Sequence, residues 1–330
     1  MNQEDKTSLR KSDHIDLTFA SQVAHNDSRF YYEPMLAAHP DSSKKDISFL
    51  GHTLHAPIWI SSMTGGSAEG GRINKNLARA CKEFGLGMGL GSCRILLDDP
   101  KHYDDFNLRP LLGNQPLFAN LGIAQIEKAV QSQGLSEISM MLDRLDADGL
   151  IVHINPLQEW MQPEGDVISQ APIDTIKRLI DFMEVPLIIK EVGQGMGPAS
   201  LKALSQLPIE AIEFAAHGGT NFSKLEMQRD DDPVSQHKDV SSIGHNNEEM
   251  ISYWNEIVKD IPNTIEIILS GGIKNYLDGY YYMNKLNAPA IYGQASTLLK
   301  YAKENYEALH QFIATQIDGL KLAEQYLRVK

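Results

Sequence analysis

Apolar residues fall into two alternating patterns along this chain. Short continuous runs suit strands, and between them apolar positions recur at helical spacing. The runs are residues 57–62, 86–90, 116–120, 150–154, 185–190, 211–216, 265–270 and 290–292. The helical stretches begin with residues 71–84, where Ile73, Leu77, Ala80, Cys81 and Phe84 share one face. They continue at 124–133, 136–145, 173–183, 198–206, 248–258, 277–286 and from 296 onwards. About eight strand–helix units result. Runs that are apolar throughout suit parallel strands buried on both faces. The pattern predicts an α/β fold, a (β/α)8 TIM barrel spanning 10–330 as one domain. An open doubly wound sheet is the alternative. Ahead of the barrel stand a short N-terminal extension and a hairpin over 46–57, turning at Gly51 and His52. Residues 1–9 are expected as a disordered tail. The polar, aperiodic segment 227–247 is expected as a lid-like loop.

In such a barrel the ligand site lies at the C-terminal ends of the strands. The strand exits, in order, are Ser62-Met63-Thr64-Gly65-Gly66, Gly91-Ser92-Cys93-Arg94, Asn120-Leu121-Gly122, His153 to Glu159, Lys190-Glu191-Val192-Gly193, His217-Gly218-Gly219-Thr220, Ser270-Gly271-Gly272-Ile273 and Gly293-Gln294-Ala295-Ser296. Every exit carries small, hydrogen-bonding or charged residues. Glycines let backbone N–H groups approach a phosphate beside a helix N-terminus. Gly271 and Gly272, with Gln294 and Ala295, therefore suit the monophosphate of flavin mononucleotide (FMN). Ser62, Met63, Thr64, Ser92 and Asn120 suit the polar edge and flat face of its ring. Lys190 at the end of an apolar strand would stabilise an anionic reduced flavin, or else pair with Glu191 or another carboxylate. Arg10 and Lys11 taken alone suit a solvated tail; together with Arg94 they could bind a second, polyanionic group. Glu159 suits Mg2+, which needs only one or two carboxylates when substrate phosphates and water complete its shell.

Charge and cysteine content narrow the partners. Lys and Arg number 30 against 43 Asp and Glu, a net charge of −13. That argues against nucleic acid or an anionic membrane as a general partner. Cys81 and Cys93 are the only cysteines, so neither a disulfide framework nor a cysteine metal site is expected. Residues 1–9 lack the apolar core of a secretory signal, and no apolar run approaches membrane-spanning length. A cytoplasmic setting is expected.

The ordered set of exits, together with Arg10-Lys11-x-Asp13-His14, resembles the type 2, flavin-dependent isopentenyl diphosphate isomerases. The resemblance runs from about Arg10 to Leu299. It implies a TIM barrel using FMN, Mg2+ and NADPH as reductant, and interconversion of isopentenyl and dimethylallyl diphosphates in isoprenoid biosynthesis. It also implies a homo-oligomer. By motif match, Arg10 and Lys11 would grip the diphosphate, and Met63, Thr64, Ser92, Asn120, Lys190 and Thr220 would contact FMN. Gln158 would lie beside the isoprene unit and Glu159 would bind Mg2+. Three positions depart from the family pattern: His217 replaces a small residue, Cys93 replaces Gln, and Gly293-Gln294-Ala295-Ser296 is a looser match.

The implied reaction moves a double bond without net oxidation, adding a proton at one carbon and removing one at another. The intermediate has tertiary carbocation character, which a reduced flavin would stabilise. Gln158 would orient or relay a proton, since an amide is neither a strong acid nor a strong base. His153 would orient Gln158 or tune the flavin, and a structural role at a strand end is its alternative. Two competing functions are an FMN-dependent 2-hydroxy-acid oxidase or dehydrogenase, suggested by His217-Gly218-Gly219, and a non-enzymatic flavin-binding oligomer. The first expects an Arg where Thr220 stands.

Overall fold

The computed structural model describes residues 10–11, 13–41, 46–62, 64–229, 238–261 and 265–330. Strand β1 (Phe30–Tyr32) precedes a hairpin of β2 (Ile47–Phe49) and β3 (His52–Leu54). The strands β4 (Ile58–Ile60), β5 (Gly87–Gly89), β6 (Leu117–Gly122), β7 (Gly149–Ile154), β8 (Leu187–Glu191), β9 (Ala211–Glu213), β10 (Glu266–Leu269) and β11 (Ala290–Gln294) follow. These eight run parallel and close into a barrel in chain order, with β11 pairing back to β4. Each of the expected strand runs forms one of them.

Local chemistry sets the helix ends. Ala68–Phe84 starts at Ala68 rather than at 71 because the Ser67 hydroxyl accepts from the Gly70 N–H at 3.1 Å. Asn246 and Glu249 form a reciprocal capping box that starts Asn247–Ile257. The chain after 296 is helical as Ser296–Glu304 and Tyr306–Tyr326, but its end is not. Strand β12 (Leu327–Val329) turns back to pair antiparallel with β1. Helical periodicity alone gives no sign of this pairing, because it depends on an edge far away in sequence (Phe30 is opposite Val329). The hairpin turns at Leu50 and Gly51, one position before the expected site; Leu50 has φ 51 and Gly51 φ 73.

Successive strand residues face opposite sides of the sheet. One set, including Ile60, Leu117, Val152, Ile189, Ile212 and Leu269, packs outward under the helices. The alternate set is Trp59, Phe118, Ile151, Ile188, Ala211, Ile268 and Ile291, which form a separate cluster in the bore. Phe49 and Leu54 of the hairpin join that cluster and plug the N-terminal end. The Trp59 ring lies 6.4 Å from Phe49 and 5.9 Å from Phe118, centroid to centroid.

The plugged layer generates a stability prediction. Trp59→Ala should lower the free energy of unfolding by about 3–5 kcal/mol, the usual cost of emptying an aromatic site in a packed core. Urea unfolding followed by circular dichroism reads this loss. A drop below about 1 kcal/mol would mean that the hairpin settles into the space.

Candidate active site

Two positions beyond the apolar bore cluster, each inward residue is polar or absent. The ring contains Ser61, Asn120, His153, Lys190, Glu213 and Ser270, with Gly293 on the last strand. Period two therefore places this polar layer at the open, C-terminal mouth of the barrel. Two cavities lie at that mouth, of about 350 Å3 and 300 Å3.

The first cavity is lined by Ser61, Ser62, Lys190, Glu213, Gly218, Gly219, Thr220, Gly271, Gly272, Lys274, Gln294 and Ala295, among others. Its loops interlock by backbone. A Cβ on Gly271, whose φ is 92, would lie 2.1 Å from the Ala216 carbonyl oxygen; one on Gly219 would lie 2.7 Å from the Gly272 nitrogen. Helix Ser296–Glu304 begins at this wall without a side-chain cap, so its first N–H groups remain available to a ligand.

Glu213 forms the floor and is wholly buried. Its Oε1 accepts from Ser61 Oγ at 2.6 Å and from Ser270 Oγ at 3.0 Å. Lys190 Nζ lies 3.9 Å from the same oxygen and donates to the Glu191 carbonyl at 2.9 Å. The pairing register of β8 with β9, Lys190 opposite Glu213, sets this contact. The carboxylate partner of Lys190 is thus Glu213. The Glu191 carboxylate instead accepts the N–H groups of Gly193, Gln194 and Gly195 at 2.6, 2.6 and 2.9 Å and folds their loop. Burial pushes the Glu191 carboxyl above the usual range, against those N–H bonds. Ser62 Oγ, Gln294 Oε1 and Glu213 Oε2 are buried without a protein partner. All three residues line this cavity, and buried polar atoms in a native protein rarely stay unsatisfied.

The second cavity is lined by Gly65, Gly66, Ser92, Arg94, Gln125, His153, Asn155, Gln158, Glu159 and Gln162, with Ile95. Pro156, at the first helical position, ends the strand and starts the short helix Pro156–Met161, which presents Gln158 and Glu159. Asn155 Nδ2 donates to Glu159 Oε1 at 2.9 Å and to Gln158 Oε1 at 3.2 Å. Gln158 Nε2 donates to Glu226 Oε1 at 3.1 Å. Glu226 is buried and pairs with Arg229 at 2.6 Å. Glu159 Oε2 accepts the Asp166 N–H at 2.8 Å.

His153 is held by a directional chain. Asn120 Nδ2 donates to the Leu90 carbonyl at 3.0 Å, which turns Asn120 Oδ1 toward His153 Nδ1 at 2.8 Å. Nδ1 must then carry the proton, leaving Nε2 as an acceptor. Burial, then the charges of Lys190 and Arg94, push the His153 pKa down to about 3. The ring is neutral at physiological pH.

The structure gathers most of the candidate residues. Ser62, Lys190, Thr220, Gly271, Gly272, Gln294 and Ala295 line the first cavity. Ser92, Arg94, His153, Gln158 and Glu159 line the second. Asn120 stands behind His153. Thr64 lines neither cavity, and its carbonyl accepts from Asn74 Nδ2 at 3.1 Å. Arg10 and Lys11 are exposed on helical turns and also line neither, so they are not brought to Arg94. Met63 lies outside the described residues. The segment 227–247 is not simply a loop: helix Phe222–Arg229 runs into it, anchored by Glu226, and a turn of 3-10 helix spans Lys238–Ser242. Residues 230–237 of it lie outside the described residues.

Ser61, Glu213, Gln125, Asp166 and Glu226 escaped sequence reading. Glu213 had a signal, a charge inside the apolar run Ala-Ile-Glu-Phe-Ala-Ala. Ser61 shares the inward face of Trp59. Asp166 and Glu226 have no local signal, since their contacts are long-range.

The chain matches no protein-family model. It is 33% identical over 319 residues to an isopentenyl-diphosphate delta-isomerase of Rickettsia felis, covering 95% of this chain and 90% of that protein. It is 36% identical over 282 residues to the protein of that name from Nostoc sp., covering 83% and 79%. Among solved structures, a flavocytochrome b2 mutant with benzoylformate superposes with a TM-score of 0.62 at 12% identity, over 90% of this chain and 72% of that one. A mandelate oxidase mutant with 2-hydroxy-phenylacetamide gives 0.60 at 12% identity, over 92% and 86%. At that identity the solved structures share the barrel fold.

The His153 environment gives a pH prediction. Its folded pKa, about 3, lies below the ordinary 6.5. Between those values the unfolded state holds a proton that the folded state lacks. The stability due to His153 is therefore complete above about pH 6.5 and is lost as pH falls toward 3. Nitrogen-detected NMR should show an Nδ1–H tautomer that does not titrate between about pH 5 and 8. A midpoint inside that window would contradict the assignment.

Proposed function

We propose the function of this chain from the family to which it belongs, the isopentenyl-diphosphate delta-isomerases. The chain interconverts isopentenyl and dimethylallyl diphosphates by flavin-assisted proton addition and removal, in isoprenoid biosynthesis. The observation that carries this reading is identity of 33% spread over 95% of the chain, a span that includes both cavities.

The first cavity fits FMN on its own chemistry: three unpartnered buried polar atoms, a glycine cradle closed to any side chain, and an uncapped helix start. Gly271, Gly272, Gln294, Ala295 and Thr220 would hold the phosphate, with Lys274 on the same wall as a counter-charge. Ser62 and Lys190 would meet the polar edge of the ring, with Ser92, Asn120, Thr64 and Met63 as the further contacts that the motif match adds. When bound and reduced, FMN supplies an electron-rich face and exchangeable protons beside the isoprene. Glu213 holds Lys190 in place for that contact.

The second cavity would take the substrate. Arg94 would bind the diphosphate, with Arg10 and Lys11 as the further contacts that the motif match adds. Glu159 is a single carboxylate, and among the described residues no cluster of three His, Cys, Asp or Glu could hold a metal alone. It would bind Mg2+ together with the substrate phosphates and water. Gln158, fixed between Asn155 and Glu226, directs its amide at the isoprene, while buried Glu226 is the ionisable group behind it. Neutral His153 orients the site through its Nε2 acceptor and adds no positive charge. NADPH is the external reductant, and the enzyme works as a cytoplasmic homo-oligomer. Among the described residues no helix is long and apolar enough to cross a membrane.

The 2-hydroxy-acid oxidase reading has in its favour the barrel shared at 11–12% identity and His217-Gly218-Gly219; Thr220 takes the place of the carboxylate-binding Arg. A single experiment separates the readings. Under anaerobic conditions, conversion of isopentenyl diphosphate should require FMN, NADPH and Mg2+, each omission abolishing it. Reduction of bound FMN by lactate or mandelate, without isomerisation, would overturn the proposal. Purified protein that binds FMN and does neither would be the flavin-binding oligomer.

Two substitutions test the roles. Gln158→Ala should lower turnover about 100-fold with FMN still bound; normal turnover would remove Gln158 from the isoprene. Glu159→Gln should move activation to higher Mg2+ concentration, read as rate against free Mg2+. An unchanged curve would take Glu159 off the metal.

A further inference from the structure

We propose that Asp166 sets the anion affinity of the second cavity, by occupying its cationic donors in the free enzyme until an incoming diphosphate displaces it. The inference deepens the reading of that cavity as the diphosphate site and rests on it.

One residue touches both halves of the site. Asp166 Oδ1 lies 2.5 Å from Lys128 Nζ, and Oδ2 lies 2.8 Å from Gln125 Nε2 and 3.4 Å from Arg94 Nη1. Its N–H meanwhile donates to Glu159 Oε2 at 2.8 Å. Arg94 and Gln125 line the second cavity, and with Lys128 and Asp166 they line the adjoining one. A carboxylate on two cations and an amide is the arrangement that a phosphate group would itself adopt there.

The segment is seated firmly enough to bring the carboxylate there. A Cβ on Gly165 would lie 1.9 Å from the Glu159 carbonyl oxygen, so the chain is pressed against the helix that carries Glu159. The side-chain contacts are looser. Arg94 is 50% exposed and Lys128 64%, and Arg94 meets Asp166 through one nitrogen at 3.4 Å rather than as a bidentate fork. Exposed single contacts of this kind are weak. A diphosphate, with more charge and several oxygens, can use the unused face of the guanidinium. The hydrogen bond from Lys128 first, and then the charges of Lys128 and Arg94, hold the Asp166 carboxyl below the usual range despite its burial. Two cations on one carboxyl group favour its ionised form.

Inorganic pyrophosphate with Mg2+, titrated into the flavin-loaded enzyme by calorimetry, tests the inference. Asp166→Asn keeps the volume and the backbone bond but removes the charge. It should bind pyrophosphate about fivefold more tightly than wild type, the equilibrium equivalent of one exposed ion pair. Asp166→Glu keeps the charge and should bind like wild type. Should the Asn protein fail to fold, Asp166→Ser carries the same expectation. Equal or weaker binding by the neutral variants, or equal tightening by Asp166→Glu, overturns the proposal. Arg94→Ala distinguishes that failure from failure of the underlying reading. If it weakens pyrophosphate binding while the neutral variants leave it unchanged, the diphosphate site stands and the role of Asp166 falls. If it has no effect, both fall.

Discussion

A closed barrel lets each strand send only every second side chain into the bore. The rest of this structure follows from that constraint. The inward positions are filled in layers, and the hairpin residues Phe49 and Leu54 complete the lower one around Trp59. With that layer dry and full, the next inward position on each strand must face the open mouth. There the chain places Ser61, Asn120, His153, Lys190, Glu213 and Ser270. The site is therefore continuous with the core and inherits its rigidity from the sheet, whereas the loops supply the backbone cradle above it.

Burying Glu213 at the centre of this ring is costly unless its charge is matched. Two hydroxyls and Lys190 offset part of that cost through a single oxygen, Oε1. The other oxygen is left over, as are Ser62 Oγ and Gln294 Oε1. An arrangement satisfied on one side and orphaned on the side facing a cavity is incomplete without a polar ligand. This links packing to function directly: the same register that pairs Lys190 with Glu213 decides which polar atoms remain for a cofactor.

The sequence made the barrel legible because the strands are apolar on both faces and the exits polar. Strand-length apolar runs ended in polar exits at eight places. It also made the motif residues legible, since Gly271, Gly272, Gln158 and Glu159 are contiguous with strand ends. What stayed hidden depended on distance in the chain. Gln158 meets Glu226 across 68 positions, and Arg94 meets Asp166 across 72. No local pattern encodes either contact. The pairing of β12 with β1 was hidden for the same reason. Glu213 was hidden differently: a lone charge in an apolar run reads as noise until the inward face of the neighbouring strands is known. Lys190 illustrates the gain, because its partner could have been the adjacent Glu191, and register selects Glu213.

The charges of the site form a pattern that a count of cations would miss. Lys190 faces Glu213, Arg94 faces Asp166, and Arg229 faces Glu226. His153 adds no charge at neutral pH. A chain of net charge −13 thus carries a mouth at which each of these three cations already has a carboxylate partner. At those donors a polyanion would bind by exchange, a ligand oxygen replacing a protein carboxylate oxygen on the same donor. Exchange favours ligands that offer more oxygens per donor than a carboxylate does, which favours diphosphates over monoanions. Pairing also lowers the repulsion among these cations in the free enzyme. On this view the acidic residues around the second cavity are part of the recognition surface, and the pairs most exposed to water are the ones built to open.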